Sequence, residues 1–301
     1  MQGNIIVEAR DVTKSYGKTL ALDRVSFRLK EGGIYGLLGR NGAGKTTLMN
    51  ILTAQWFATS GEVRLFGENP YENDRVLRRV CFIKESQIYP KSLRVKDVFD
   101  LSASFFPNWD RTYADALARE FGLPPDRRMG KLSRGMLSTA GIIVGLASRA
   151  ELTIFDEPYL GLDAAARRLF YDRLLADYAE HPRTIVFSTH LIDEVSRLLS
   201  HVLMIDGGKL VADEDADVLR ASAFTVEGRT DEVDAFAAGR SVLHRETLGG
   251  ISRVIVRGEP DAEAKRQAER RGLAVGPVSL QELFIRLTGA AGQEWKEASG
   301  Q

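Results

Sequence analysis

Short apolar runs separated by turn residues open the chain. Asn4–Val12 and Val25–Leu29 alternate or cluster apolar residues like strands, Lys30–Gly33 reads as a turn, Ile34–Leu38 as a buried strand, and Glu62–Phe66 as another before Gly67. From Val95 to Gly122 the period lengthens. Val98, Leu101 and Phe105, then Ala114, Leu117 and Phe121, recur three or four apart and predict a helical insert that Pro124 and Pro125 stop. A helix Arg134–Ser148, an apolar strand Leu152–Phe155, a helix Ala164–His181, a strand Thr184–Ser188, a helix Ile192–Leu199 and a hairpin Val202–Ala212 turning at Gly207-Gly208 follow. Such alternation of strand and helix argues a parallel sheet. Beyond about Asp217 the order is strand Phe224–Gly228, helix Asp231–Ala238, strands Ser241–Glu246 and Ile251–Arg257, helix Ala262–Arg271, strand Leu273–Val278 and helix Leu280–Leu287. The β-α-β-β-α-β part is a split βαβ unit. It holds no glycine-rich loop, paired carboxylates or metal-ligand cluster, which points to a packing or regulatory domain.

A chain of 301 residues, 44% hydrophobic, is long enough for a large α/β core plus a smaller unit. Lysine plus arginine and aspartate plus glutamate are 41 each, so no basic field attracts nucleic acid, and none is expected as a direct partner. The single cysteine, Cys81, lies in the apolar stretch Val80–Ile83 and reads as a buried strand thiol; one cysteine gives no disulfide framework, in keeping with a reducing cytosol. No apolar run approaches the length that spans a bilayer, and the opening MQGNIIVEAR lacks the basic start and apolar stretch of a signal peptide. The expectation is a soluble chain that stays inside the cell.

The chemistry begins at GRNGAGKTT, Gly39–Thr47, between an apolar strand and the helical pattern Thr47–Leu52. Gly39, Gly42 and Gly44 permit backbone angles that aim successive N–H groups at phosphate oxygens, and a helix N-terminus adds partial positive charge. Lys45 is placed for the β- and γ-phosphates, the Thr46 hydroxyl for Mg²⁺, and Thr47 for the α-phosphate region. Further on come LSRGM at Leu132–Met136 and LTIFDEP, where an apolar strand delivers Asp156 and Glu157 to its carboxyl end. Asp156 suits the Mg²⁺ shell, and Glu157, on the other side of the strand, suits polarisation of an attacking water. YLGLD at Tyr159–Asp163 and a strand ending in Ser188, Thr189 and His190 complete the set.

In this order the motifs resemble the ATP-binding cassette subunit of an ABC transporter, over residues from about 4 to 215. The resemblance implies an α/β P-loop NTPase cassette over residues 1–216, with a parallel-sheet core, an N-terminal antiparallel β subdomain and a helical subdomain at about 90–135, followed by a small C-terminal α+β accessory domain at 217–301. It makes Tyr16, in KSYG, the aromatic that stacks on adenine; Gly39, Arg40, Asn41, Gly42, Ala43, Gly44, Lys45 and Thr46 the Walker A loop, with Thr47 beside it; Leu132–Met136 the signature motif; and Leu152–Asp156 Walker B. It makes Glu157 the catalytic base, Asp163 part of the D-loop, and His190 the switch histidine, while His181, His201 and His244 read as structural. Two motifs depart from the pattern. The signature usually reads LSGGQ, and here Arg134 and Met136 replace a glycine and a glutamine, leaving Ser133 and Gly135 to contact the γ-phosphate of ATP on the opposite subunit. At the Q-loop, RRVCFIKE puts Glu85 at the glutamine position as a metal-facing carboxylate, with Gln87 two residues on, and the sequence does not choose between them.

The implied function is ATP hydrolysis, with ATP and Mg²⁺ bound, by a subunit that dimerises with a second cassette and drives a separate membrane permease from the cytoplasmic face. The tail SLQELFIRLTG resembles the ATPase subunits of ABC-2-type exporters. A soluble ABC-type ATPase not coupled to transport is the alternative; against it, the chain shows no second cassette, coiled-coil insertion or zinc-binding cysteines. A GTPase is disfavoured because no Asn-Lys-x-Asp motif occurs.

Overall fold

The computed structural model describes residues 4–85 and 87–288. The first three residues of the opening stretch and residues 289–301 of the expected C-terminal domain lie outside them. The chain divides into two compact units, one reaching as far as His190 and taking in Ile205–Leu210, the other holding Leu191–Met204 and everything described from Val211 onward.

In the first unit β1 (Ile5–Tyr16), β2 (Thr19–Lys30), β3 (Ile34–Gly39), α1 (Lys45–Leu52), β4 (Ser60–Leu65), α2 (Asp74–Leu77) and β5 (Val80–Ile83) come first. β1 pairs antiparallel with both β2 and β4 in a three-stranded sheet, so the early alternating runs do form a β subdomain. α3 (Val95–Phe105), α4 (Arg111–Glu120), α5 (Arg134–Ala147), β6 (Leu152–Asp156), α6 (Ala164–Glu180) and β7 (Thr184–Thr189) follow. The parallel sheet runs β5-β6-β7-β3. Every residue of β3, β6 and β7 is buried, which is why these strands read as unbroken apolar runs rather than alternations. Their carboxyl ends therefore bring Gly39, the last residue of β3, and the carboxylate Asp156, the last of β6, to one edge.

The helical insert is two helices, not one continuous stretch. Pro107 disfavours α-helical angles at Phe106, which is extended at φ −107° and ψ 114°, and the Asp110 carboxylate restarts the helix by accepting from the Tyr113 N–H at 2.8 Å. α5 ends its apolar run at Ala147, and its buried face packs beside β5 and β6, where the Cβ of any residue replacing Gly145 would stand 2.5 Å from the Phe155 ring.

In the second unit the helix expected over Ile192–Leu199 spans Ile192–Val195 only; beyond it Leu198 N–H bonds the Val195 carbonyl, a tighter i to i+3 turn. The turn at Gly207-Gly208, which belongs to the first unit, has both glycines at positive φ, as the glycine pair predicts. Four antiparallel strands, Ala223–Arg229, Val242–Leu248, Ile251–Arg257 and Ala274–Pro277, carry helices Thr230–Ala237 and Ala262–Arg270 between them in the expected β-α-β-β-α-β order. Phe224, Val226, Phe236, Val254 and Val256 form their shared core. A short helix Ala216–Ala221, capped by Asp215, precedes this unit's sheet and has no counterpart in the sequence reading.

Candidate active site

β3 ends at Gly39, whose substitution would set a Cβ 2.7 Å from the Ile205 carbonyl oxygen. The loop then turns through Gly42 at φ 81° and Gly44 at φ 108°, angles that L side chains rarely adopt. α1 starts with no side-chain cap, so its first N–H groups face the loop's hollow. Here lies a cavity of about 460 Å³, walled by Asn41–Thr47 together with Glu85, Asp156, Glu157 and His190.

Lys45 is buried and donates through Nζ to the carbonyls of Gly39 at 2.7 Å and Arg40 at 3.2 Å. Burial lowers its pKa, a tendency opposed by the charges of Glu157 and Asp156. Thr46 Oγ1 donates to Asp156 Oδ2 at 2.9 Å, joining the loop to the end of β6. Burial raises the Asp156 carboxyl pKa, against the Thr46 hydrogen bond. A hydroxyl and a carboxylate side by side are hard oxygen donors, and with phosphate oxygens they suit Mg²⁺, which takes one or two protein ligands. The donor set fits that ion; among the described residues no cluster of three or more His, Cys, Asp or Glu forms an all-protein metal site.

Glu157 is buried and holds φ +49°, an uncommon angle for a side-chain-bearing residue and a reservoir of strain typical of functional positions. Its Oε2 accepts from His190 Nδ1 at 2.8 Å and from the Tyr159 hydroxyl. Tyr159, 1% exposed, sits at the hub: its oxygen lies 2.6 Å from Thr189 Oγ1 and accepts the His190 backbone N–H at 3.2 Å. Burial and the neighbouring Glu157 push the phenol pKa well up, so it remains a donor. In the sequence Tyr159 stands only as the first residue of YLGLD, with no role of its own; its signal is a hydroxyl-bearing aromatic two positions after the candidate base.

The remaining expected residues stand apart from the cavity wall. Tyr16 is 46% exposed, with the Trp56 ring edge-on at 6.1 Å. Asp163 caps α6, accepting the Ala166 N–H at 2.8 Å. Ser133 caps α5 and is exposed, and a Cβ at Gly135 would come 2.5 Å from the Gly161 carbonyl, so the start of α5 lies flush against Tyr159–Asp163. Gly39 and Arg40 supply carbonyls to Lys45 rather than lining. Of the two Q-loop alternatives Glu85 faces the cavity, whereas Gln87 Oε1 turns back to the Lys84 N–H at 3.4 Å. Cys81 is buried in β5, as its setting predicts.

Residues 22–160 match the family described as ABC transporter, and residues 125–196 match an AAA-domain family. The bacitracin transport ATP-binding protein BcrA of Bacillus licheniformis is 34% identical over 71% of this chain and 71% of its own length. The Nod factor export ATP-binding protein I of Paraburkholderia xenovorans (strain LB400) is 30% identical over 96% and 98% respectively. Among solved structures, an ATP-binding subunit of an ABC transporter superposes with a TM-score of 0.65 at 24% identity, covering 71% of this chain and 92% of that one. A dimeric ATP-binding cassette in a post-hydrolysis state, bound to ADP and Pi, gives 0.61 at 23% identity, covering 70% and 99%. Both share the fold.

Proposed function

The chain belongs to the ATP-binding cassette family of ABC transporters, and from that membership we propose that two copies, or this chain and a related subunit, close head to tail around ATP and reopen on its hydrolysis, driving export through a separate membrane permease. The observation that carries this reading is the meeting of Lys45, Thr46, Asp156 and Glu157 around one cavity. Lys45 binds phosphate, Thr46 and Asp156 hold Mg²⁺, and Glu157, aligned by His190, orients water. The metal, when bound, supplies charge neutralisation at the phosphates. Ser133, exposed, and Gly135, half-buried beside Tyr159–Asp163, are the groups that meet ATP held by the opposite copy, and the exposed Tyr16 is the one that meets adenine.

Moving a dimer from 1:99 to 99:1 closed takes about 5.5 kcal/mol, which two nucleotides supply through one or two charge-assisted hydrogen bonds each of about 1.5–3 kcal/mol. The Lys84–Arg94 segment and the helices α3 and α4 carry the motion to the permease, and residues 217–301 act as an accessory domain. Among the described residues no helix is long and apolar enough to cross a membrane. In this reading the contact with the bilayer runs through the permease at its cytoplasmic face. Relatives named for bacitracin transport and Nod factor export support export as the direction.

Phosphate release from MgATP by the full chain, with a nucleotide titration and sizing of the complex, tests the reading. Glu157→Gln is expected to keep ATP binding, accumulate a dimer and lose about a hundredfold or more in turnover. Lys45→Ala is expected to lose binding itself. Normal turnover in Glu157→Gln removes that residue from the base role, and failure to co-purify with a polytopic protein from detergent-solubilised membranes removes the permease.

A further inference from the structure

The two motifs in which this chain departs from its family's pattern meet in space, through one residue of each. Arg134 Nη2 donates to Glu85 Oε1 at 2.8 Å across 49 residues. We propose that Arg134 is the charge-compensating residue of the triphosphate site, neutralising Glu85 so that a carboxylate in the cavity wall does not repel the phosphates. The inference rests on the ATP-binding reading above.

Of the residues lining the cavity, three carry carboxylates, Glu85, Asp156 and Glu157, and one is a lysine. Asp156 has Thr46 and Glu157 has His190 and Tyr159 within the site. Glu85 looks outward for its partner, to the first residue of α5. Helix stability does not explain that partner: a cation in the first turn opposes the helix dipole. Nor does folding, because with side chains 68% and 44% exposed the pair contributes little to stability. A cation does matter to the ligand, since an unpaired carboxylate facing a triphosphate repels it over several ångströms, an effect that salt screens. Arg134 acts through Glu85 and is a positioning residue.

The test is MgATP titration of the full chain at low and high ionic strength. Arg134→Ala is expected to weaken MgATP binding about tenfold at low salt while the melting temperature stays within about 2 °C of the parent, and raising the salt narrows the gap. Arg134→Lys recovers most of the loss. The double variant Arg134→Ala/Glu85→Gln returns to within about threefold of the parent, because the charge that needed compensation is gone. Unchanged binding in Arg134→Ala overturns the proposal, and so does a double variant as weak as Arg134→Ala alone, which would assign the arginine a direct contact. A parent chain that binds no MgATP sinks the wider reading instead, so the two failures are distinguishable.

Discussion

Thr46 and Asp156 lie 110 residues apart in the chain, and in the fold the Thr46 hydroxyl donates to the Asp156 carboxylate at 2.9 Å. Burial raises the Asp156 pKa, so without a metal the ionised form is held at a cost. A carboxyl whose folded pKa is raised stabilises the fold below its unfolded value near 3.9, and that contribution is lost as pH rises through the raised value. Asp156→Asn is therefore expected to raise the melting temperature of the ligand-free protein at pH 7 and to show no gain near pH 3, while abolishing turnover. Scanning fluorimetry at both pH values reads the outcome, and a variant that melts lower at pH 7 contradicts the assigned cause.

Tyr159 ties Glu157 to the end of β7 at Thr189 and to His190 just beyond it. Tyr159→Phe keeps the ring in its buried slot and removes one donor, so turnover is expected to fall about tenfold, equivalent to about 1.4 kcal/mol in the barrier, with KM changed less than about twofold. Steady-state kinetics separate the two parameters. A rise in KM with normal kcat would make Tyr159 a binding residue instead.

On the buried face of α6, Asp177 forms an ion pair with Arg183 Nη1 at 2.7 Å and lies 3.4 Å from Arg149 Nη2, with the Arg183 and Asp177 side chains only 4% and 2% exposed. Asp177→Ala leaves buried guanidinium charge uncompensated and is expected to cost about 3–5 kcal/mol. Urea unfolding measures it, and a loss under about 1 kcal/mol would show that water relieves the charge.

Burial pushes the Cys81 thiol up to about 12. At pH 8 its thiolate is scarce and its sulfur covered, so labelling by a thiol reagent is expected to run about a thousandfold slower in the native chain than in urea. Equal rates would place Cys81 at the surface.

Much of this protein was legible in one dimension. The glycines of the Gly39–Thr47 loop, Lys45, Thr46 and the pair Asp156–Glu157, which the fold gathers around one cavity, stand out because they come in two short runs, and neighbours in sequence are what a sequence displays. The fully buried strands β3, β6 and β7 were equally plain, since both faces of a parallel sheet need apolar cover. The Pro107 break was there to be read but was masked by helical spacing on either side of it. Tertiary structure decided the contacts between distant segments: that Tyr159 holds Glu157, that Gln87 turns from the cavity while Glu85 faces it, and that Glu85 finds Arg134. Each depends on where strands end and on which way a side chain leaves its backbone. Those are set by packing across the sheet, so no local pattern of residues encodes them.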